Sequence, residues 1–588
     1  MSDFIYSKKK IEKGKLTIEL QSIYREEKPI VQEFHGDWGS LAVSNSPYNG
    51  FNPFEIDEHI CVVLGGPLLD YQENQFLNLT SGSSGTEAIF NRYIKGIIKW
   101  DEDLSGPFAI ILVNKNTSEV ECITDLMSFI PIYTYSDSNN IILSSHVDVV
   151  ARISGQKQNI DIVSAVDFIL HGIVTYPYTS YNQIRQIAPA STHIIKANEI
   201  KILTKNYWLP KEKYKYNNID QAANDLRNSL QKYVDSIAGN MYNIAQFISG
   251  GEDSRTLSGL LPKQCNQDAF IFLDHMNREG KVAEKAANSY GAKFKIGTRS
   301  KLHYLEILSS CVNLVGAGSQ YIHAHTFGFH KSCKLNEYSA VFGGLFSDAL
   351  LKGARIKKLS SLDRFPFLPQ IKRLNYSSAT PLKNDYFQTE VLEELTKRRQ
   401  AHLKYVKSIR KESAEEWFEL WPSSMNVNIP NIHVNRRLFR SYEPFMSKDV
   451  VKMSATVPQD WKLNRKLFQK AAKPLLKPTK WLLHGDGRLP YFSWYINIFI
   501  QFVIWFFRTI GSKIGLIKGN QGPWGEWKVV MNSTEWKHAI DNYRDGINLI
   551  SSALKERDVK ELFEGNKLNQ NQKINLLQTL YINQNILK

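Results

Sequence analysis

Two regimes of hydrophobic patterning divide the chain. Up to about residue 208 the apolar residues fall in short runs at 61–64, 108–113, 120–124, 141–144 and 193–195, each of strand length. One longer stretch, 86–99, spaces Ala88, Ile89, Tyr93, Ile94, Ile97 and Ile98 as one face of a helix. From about residue 219 the pattern alternates helices with short, uninterrupted apolar runs: helix 222–238, strand 244–248, strand 269–273, helix 279–290 and strand 340–342. That alternation predicts a parallel sheet flanked by helices. The predicted class is α/β with a helical C-terminal part, divided into a unit at 1–208 and another at 215–588.

The most apolar stretch, 491–507, reads YFSWYINIFIQFVIWFF. Its 17 residues lie at the lower edge of what a membrane span needs. Ser493, Asn497 and Gln501 recur every four residues, a narrow polar stripe on a helix, and Arg508, Lys513 and Lys518 follow. A buried helix, a helix over 491–510 lying at a membrane interface, and a span are the three readings; the tryptophans and tyrosines favour the interface over an ordinary core. The Asn/Gln-rich end, 562–588, reads as a surface helix.

Composition narrows the class. A chain of 588 residues exceeds one ordinary core, and 43% hydrophobic with 12% aromatic content is globular. The five cysteines, at 61, 122, 265, 311 and 333, show no zinc-ribbon or redox-dithiol spacing, which favours a reduced compartment. Cys61 and Cys122 sit in apolar runs and read as core residues. The lysine-rich head, 1–14, shows no signal peptide, so a cytoplasmic location is expected, with peripheral contact at the inner face of the membrane as the alternative. A formal charge of +15 invites a nucleic-acid reading, but the basic residues are diffuse, which disfavours it.

The candidate chemistry starts at Ser249-Gly250-Gly251-Glu252-Asp253-Ser254, which follows the strand 244–248 and precedes helical residues. Adjacent glycines let a polyanion approach the backbone, and amides at a helix N-terminus favour phosphate. Ser249 and Ser254 add hydroxyl donors, and Asp253 offers a carboxylate to a magnesium ion. No Gly-Lys-Ser/Thr follows, so this is not the loop that holds a transferable γ-phosphate. Leu273, ending the next strand, is placed to meet adenosine by the carboxyl-end rule for open sheets. His323, His325 and His330 form a spaced cluster, better read as helix-face or acceptor-contact residues than as a zinc site.

The 249–254 motif resembles the pyrophosphate loop of the ATP pyrophosphatases, which include asparagine synthetase, β-lactam synthetase, lasso-peptide cyclases and several tRNA-modifying enzymes. Gly343-Gly344-Leu345-Phe346-Ser347-Asp348, after the strand 340–342, resembles that family's second glycine loop, with Asp348 matching its aspartate and Gly344 on the phosphate side. Leu345 and Ala349 replace acidic residues usual there. Glu443-Pro444-Phe445 resembles a later family segment, although Tyr442 stands where the family has an arginine. The stretch 436–473 supplies Arg437, Arg440, Lys462, Arg465 and Lys466, of which Lys462 and Lys466 are the candidate catalytic bases to join Asp253 and Asp348.

The front of the chain resembles a class II glutamine amidotransferase at Gly85-Thr86-Glu87, Leu104 to Ala109, Thr124-Asp125, Pro131-Ile132-Tyr133 and Tyr207-Trp208. The resemblance implies an Ntn-hydrolase-like αββα sandwich. The family nucleophile is a cysteine at position 2; this chain has Met1-Ser2-Asp3, and the lysine-rich extension argues against a buried catalytic terminus. A degenerate domain without glutaminase activity is expected. The whole resemblance implies an ATP- and Mg2+-dependent, AMP-forming amide ligase that adenylates a carboxylate (a sugar acid, small molecule or peptide) and passes it to ammonia or a substrate amine. A lasso-peptide or β-lactam-type cyclase and a tRNA-modifying pyrophosphatase are the alternatives.

Overall fold

The computed structural model describes residues 2–239, 241–359, 365, 367–513 and 521–587; Met1 and Lys518 fall outside them. Two six-stranded antiparallel sheets fill the first 206 residues. The first runs Ile184–Gln186, Tyr133–Ser136, Ile141–Ser144, Phe4–Ser7, Gly39–Ser44, Val31–Gly36. The second runs Ile202–Asn206, Ser191–Ile195, Glu119–Thr124, Phe108–Asn114, His59–Gly65, Phe54–Glu55. Strand periodicity assigns each residue a layer. Phe4, Tyr6, Leu41, Val43 and Leu143 meet Val62, Leu64, Ile111 and Cys122 between the sheets. Their neighbours Ile5, Ala42 and Ile142 face outward to Leu16, Leu20 and Val150 of covering helices. Cys61, Val63, Ile110 and Leu112 face Ile89 and Phe90 of helix Ser84–Ile94. The result is the expected Ntn-hydrolase-like αββα sandwich.

Three sequence expectations are corrected. The helix placed at 86–99 spans Ser84–Ile94, because Gly96 adopts a left-handed φ of +66° and turns the chain away. The lysine-rich head hides a central strand, Phe4–Ser7, whose four residues are all buried, and Ser2 is only 1% exposed. The C-terminal segment is no surface helix. Gln570–Leu587 buries Leu576, Leu577 and Leu580, and its amides bond across to earlier elements. Gln320 Nε2 donates to Asn575 Oδ1 (2.5 Å), and Gln578 Nε2 donates to Ser319 O (2.7 Å).

The second half centres on a parallel five-stranded sheet in the order Lys293–Thr298, Asn266–Leu273, Asn243–Phe247, Ala340–Phe342, Ser441–Tyr442. The chain starts at the middle strand, winds outward one way, then returns to build the other side. The order therefore reverses between Asn243–Phe247 and Ala340–Phe342, and the crevice beyond their carboxyl ends is where open α/β sheets take ligands.

The halves are locked by a buried ion pair. Helix Ile429–Leu438 sends Arg437 Nη2 and Nε to the Asp3 carboxylate (2.7 and 2.8 Å), and Arg436 Nη2 adds a third contact (3.1 Å). Burial alone would raise the Asp3 proton affinity, but Arg437 and then Arg436 outweigh it and hold the carboxyl well below its usual range. A depressed folded-state pKa contributes stability that is present above the unfolded carboxylate value and lost as pH falls below it. Replacing Asp3 by Ala strands two buried guanidinium groups. Asp3→Ala is expected to lower unfolding free energy by about 3–5 kcal/mol in urea titrations at pH 7, with the difference shrinking below about pH 4.

Candidate active site

The loop after Asn243–Phe247 is stabilised by its own hydroxyls. Ser249 N–H donates to Ser254 Oγ (3.1 Å), and Gly251 N–H donates to Ser249 Oγ (3.0 Å). Gly250 N–H donates to the Glu279 carboxylate (2.6 Å), and a Cβ on Gly250 would lie only 2.9 Å from that oxygen. Glycine is what lets an anion this close to the backbone. Helix Glu252–Leu260 starts at this point, and its fully buried Arg255 donates to Gly250 O, Leu482 O and Leu483 O (2.8, 2.7 and 2.8 Å). That side chain bolts the loop to the 482–488 segment.

The second glycine loop lies against the first. A Cβ on Gly344 would sit 3.4 Å from the Asp253 Cβ. Gly343 gives room to the buried Glu443 carboxyl, which accepts from Leu345 N–H (2.9 Å) and is pushed up to about 8 by burial. Helix Ser347–Leu351 then delivers Asp348 and, one turn on, Lys352.

Lys352 is the hub. Its ammonium lies 2.5 Å from Asp253 Oδ1, 2.7 Å from Asp348 Oδ1 and 3.5 Å from Glu252 Oε1. Glu252, also buried, faces Arg465 Nε (2.7 Å) and Arg488 Nη1 (3.4 Å). Burial raises the Glu252 proton affinity, but Arg488, Lys352 and Arg465 overturn that and keep it ionised. Asp253 goes the other way: burial, with Asp348 and Glu252 adding to it, outweighs Lys352 and pushes it up to about 6. The corner around Asp253 is thus short of positive charge. Asp253 and Asp348 converge on the Lys352 ammonium, and their hard oxygens are the donors that would hold a phosphate-bound magnesium ion once Lys352 gives way to it.

Of the residues singled out from sequence, Ser249, Gly250, Gly251, Asp253, Ser254, Gly344 and Asp348 come together here. Lys462 does not join them: its ammonium is buried on Glu416 Oε1 (2.7 Å) and Ser454 Oγ (3.1 Å). Lys466 opens the helix Lys466–Ala472, while its neighbour Arg465 makes the contact with Glu252. Leu273 packs its side chain among Ile248, Ala283 and Ala286, and its carbonyl accepts from Arg299 N–H (2.7 Å). Arg437 is spent on Asp3. His323 and His330 are pushed down to about 4 by burial, and the His325 ring lies against Trp524. Among the described residues no group of three or more His, Cys, Asp and Glu side chains is disposed to hold a metal ion.

Sequence reasoning missed Glu252, Glu279, Lys352 and Arg488. Lys352 carried a readable signal, its i,i+4 spacing from Asp348. Lys352→Met would leave three carboxylates facing one another. It is expected to cost about 3–5 kcal/mol at pH 7. Because the stranded carboxylates then bind protons more tightly folded than unfolded, the variant should gain stability as pH falls from 7 towards 5, measured by urea titration at each pH.

Residues 39–208 match the glutamine amidotransferase domain family. The putative glutamine-hydrolysing asparagine synthetase 2 of Methanocaldococcus jannaschii is 24% identical over 209 residues, covering 34% of this chain and 40% of that protein. The match thus spans less than half the length of that relative. Among solved structures, the allosteric regulatory enzyme of purine biosynthesis aligns over 51% of this chain and 82% of its own, at 11% identity and a TM-score of 0.26. The glutamine phosphoribosylpyrophosphate amidotransferase from B. subtilis, complexed with ADP and GMP, aligns over 50% and 65%, at 11% identity and a TM-score of 0.25.

Proposed function

We propose that this asparagine-synthetase-like chain, with its amidotransferase domain at the front, is an ATP-dependent carbon–nitrogen ligase that forms AMP and pyrophosphate. The observation that carries the reading is the meeting of Asp253 and Asp348 on one cation beside a double-glycine corner at the sheet's switch point. A carboxylate is a poor electrophile, because it has no good leaving group. Transfer to the α-phosphate of ATP turns it into an acyl-adenylate, which an amine attacks in a site that excludes water. Ser249, Gly250, Gly251 and Ser254 hold the departing pyrophosphate, and Glu279 leaves the Gly250 amide as phosphate arrives. Asp253 and Asp348 would hold a magnesium ion, which when bound would offset the charge that develops on the leaving group.

The nitrogen comes from free ammonia or from an amine on the substrate. By the resemblance Ser2 takes the place of the glutaminase thiol, and its carbonyl accepts from Arg436 in a buried setting. That supports a front domain retained without glutamine hydrolysis.

A second observation favours membrane contact. In helix Trp494–Lys513 the polar stripe is inward: Asn497 and Gln501 are buried, while Tyr495, Phe499, Phe502, Phe506 and Phe507 are exposed. No helix among the described residues is long and apolar enough to cross a membrane. An outward aromatic face followed by Arg508 suits a helix lying on a lipid surface.

Two measurements test these readings. ATP–pyrophosphate exchange across candidate carboxylates should be acceptor-dependent, with AMP as the nucleotide product, and Asp253→Asn should lower it by about 100-fold or more. Formation of ADP and inorganic phosphate contradicts the assignment. Binding to vesicles of mixed neutral and anionic lipid should fall about tenfold or more in a Phe499→Glu, Phe507→Glu double variant; unchanged partition removes the membrane contact.

A further inference from the structure

A cavity of about 290 Å³ opens between Glu252 of the glycine loop and the inner face of helix Trp494–Lys513. We propose that this cavity takes the carboxylate acceptor, and that the acceptor is a hydroxylated acid without an ammonium group, of the sugar-acid class. The assignment rests on the ligase reading for the fate of the acceptor, and on the cavity alone for its chemistry.

Arg465 forms the polar end. Its Nε faces Glu252 (2.7 Å), and its two terminal nitrogens make no hydrogen bond to a described residue. The backbone that presents it is strained, with left-handed φ of +55° at Asn464 and +58° at Arg465. A non-glycine pair in that region persists only when its surroundings fix it, and such pairs concentrate at ligand sites. Gln370 supplies the fixing: its N–H donates to Asn464 Oδ1 (2.7 Å), and Asn464 N–H and Nδ2 donate to Gln370 Oε1 and O (3.1 and 3.3 Å).

Gln501 is the second pointer. It lines the cavity, is 6% exposed and makes no side-chain hydrogen bond to any described residue. Asn497, one turn earlier on the same stripe, spends its amide on the backbone of Leu489, Phe492 and Ser493. Its amide is therefore open to the cavity, where a ligand hydroxyl can both donate to it and accept from it.

Charge and shape narrow the class. The acidic side chains in the lining, Glu252 and Asp486, are both paired with Arg488 (3.4 and 2.7 Å), so neither is left to receive an ammonium. An α-amino acid is therefore mismatched. Phe367, Phe492 and Trp494 supply apolar faces for the C–H side of a ring, and the volume is at the small end of ligand cavities, sized for one sugar ring.

Calorimetric titration of the full chain with D-glucuronate, D-glucose and L-aspartate tests this. Glucuronate should bind, with glucose and aspartate at least about tenfold weaker, a difference of about 1.4 kcal/mol. Arg465→Ala and Gln501→Leu should each weaken glucuronate about tenfold, and Arg465→Lys, which keeps the charge beside Glu252, should retain more affinity than Arg465→Ala. Unchanged melting temperatures identify variants that fold. Absence of glucuronate binding, tighter binding of aspartate, or affinity indifferent to both Arg465→Ala and Gln501→Leu overturns the proposal. ATP binding, titrated separately, keeps the readings apart. ATP binding without glucuronate binding sinks only the cavity assignment, whereas glucuronate binding of the expected pattern without AMP formation sinks only the ligase.

Discussion

Three carboxylates and one ammonium share the crevice where the parallel sheet reverses its strand order, and the geometry of both glycine loops follows from that sharing. Two unit charges 4 Å apart interact by about 4 kcal/mol at the effective dielectric typical of partly buried sites. Glu252, Asp253 and Asp348 therefore could not be held together without Lys352 between them, with Arg465 and Arg488 taking up the remainder. The balance is incomplete at Asp253, which lies against Gly344 of the second glycine loop.

The amidotransferase-like half contributes a platform. Asp3 anchors the helix carrying Arg436 and Arg437, and the C-terminal helix Gln570–Leu587 packs back on that half through Asn575, which donates to Phe168 O (3.1 Å). The same position-2 region that a glutaminase uses for chemistry is here spent on a buried ion pair. That pairing fixes the interface between the two halves.

Much of the site was legible because its parts are local. The 249–254 corner needs only a strand, two glycines and a helix start, and Asp348 follows a second strand and glycine pair. What was not legible depends on distant pairing. Glu279 reaches Gly250 across 29 residues, and Arg488 reaches Glu252 across 236. The strand Phe4–Ser7 was hidden by the lysines after it, since four residues give too short a run for a period to emerge. The C-terminal helix was misread from its Asn/Gln content, because burial of those amides is decided by partners such as Gln320 and Ser319 that only the fold supplies. The stripe at Asn497 and Gln501 was seen correctly as a stripe, but its inward direction needed the tertiary structure.

The central claim is that the corner beginning at Ser249 receives the two-phosphate fragment released from ATP. A crystal structure of the full chain with magnesium and pyrophosphate tests it most directly. The account predicts phosphate oxygens on the Gly250 and Gly251 amides, the metal on Asp253 and Asp348, and the Glu279 carboxylate swung away. Pyrophosphate bound elsewhere, with Glu279 still seated on the Gly250 amide, would contradict it.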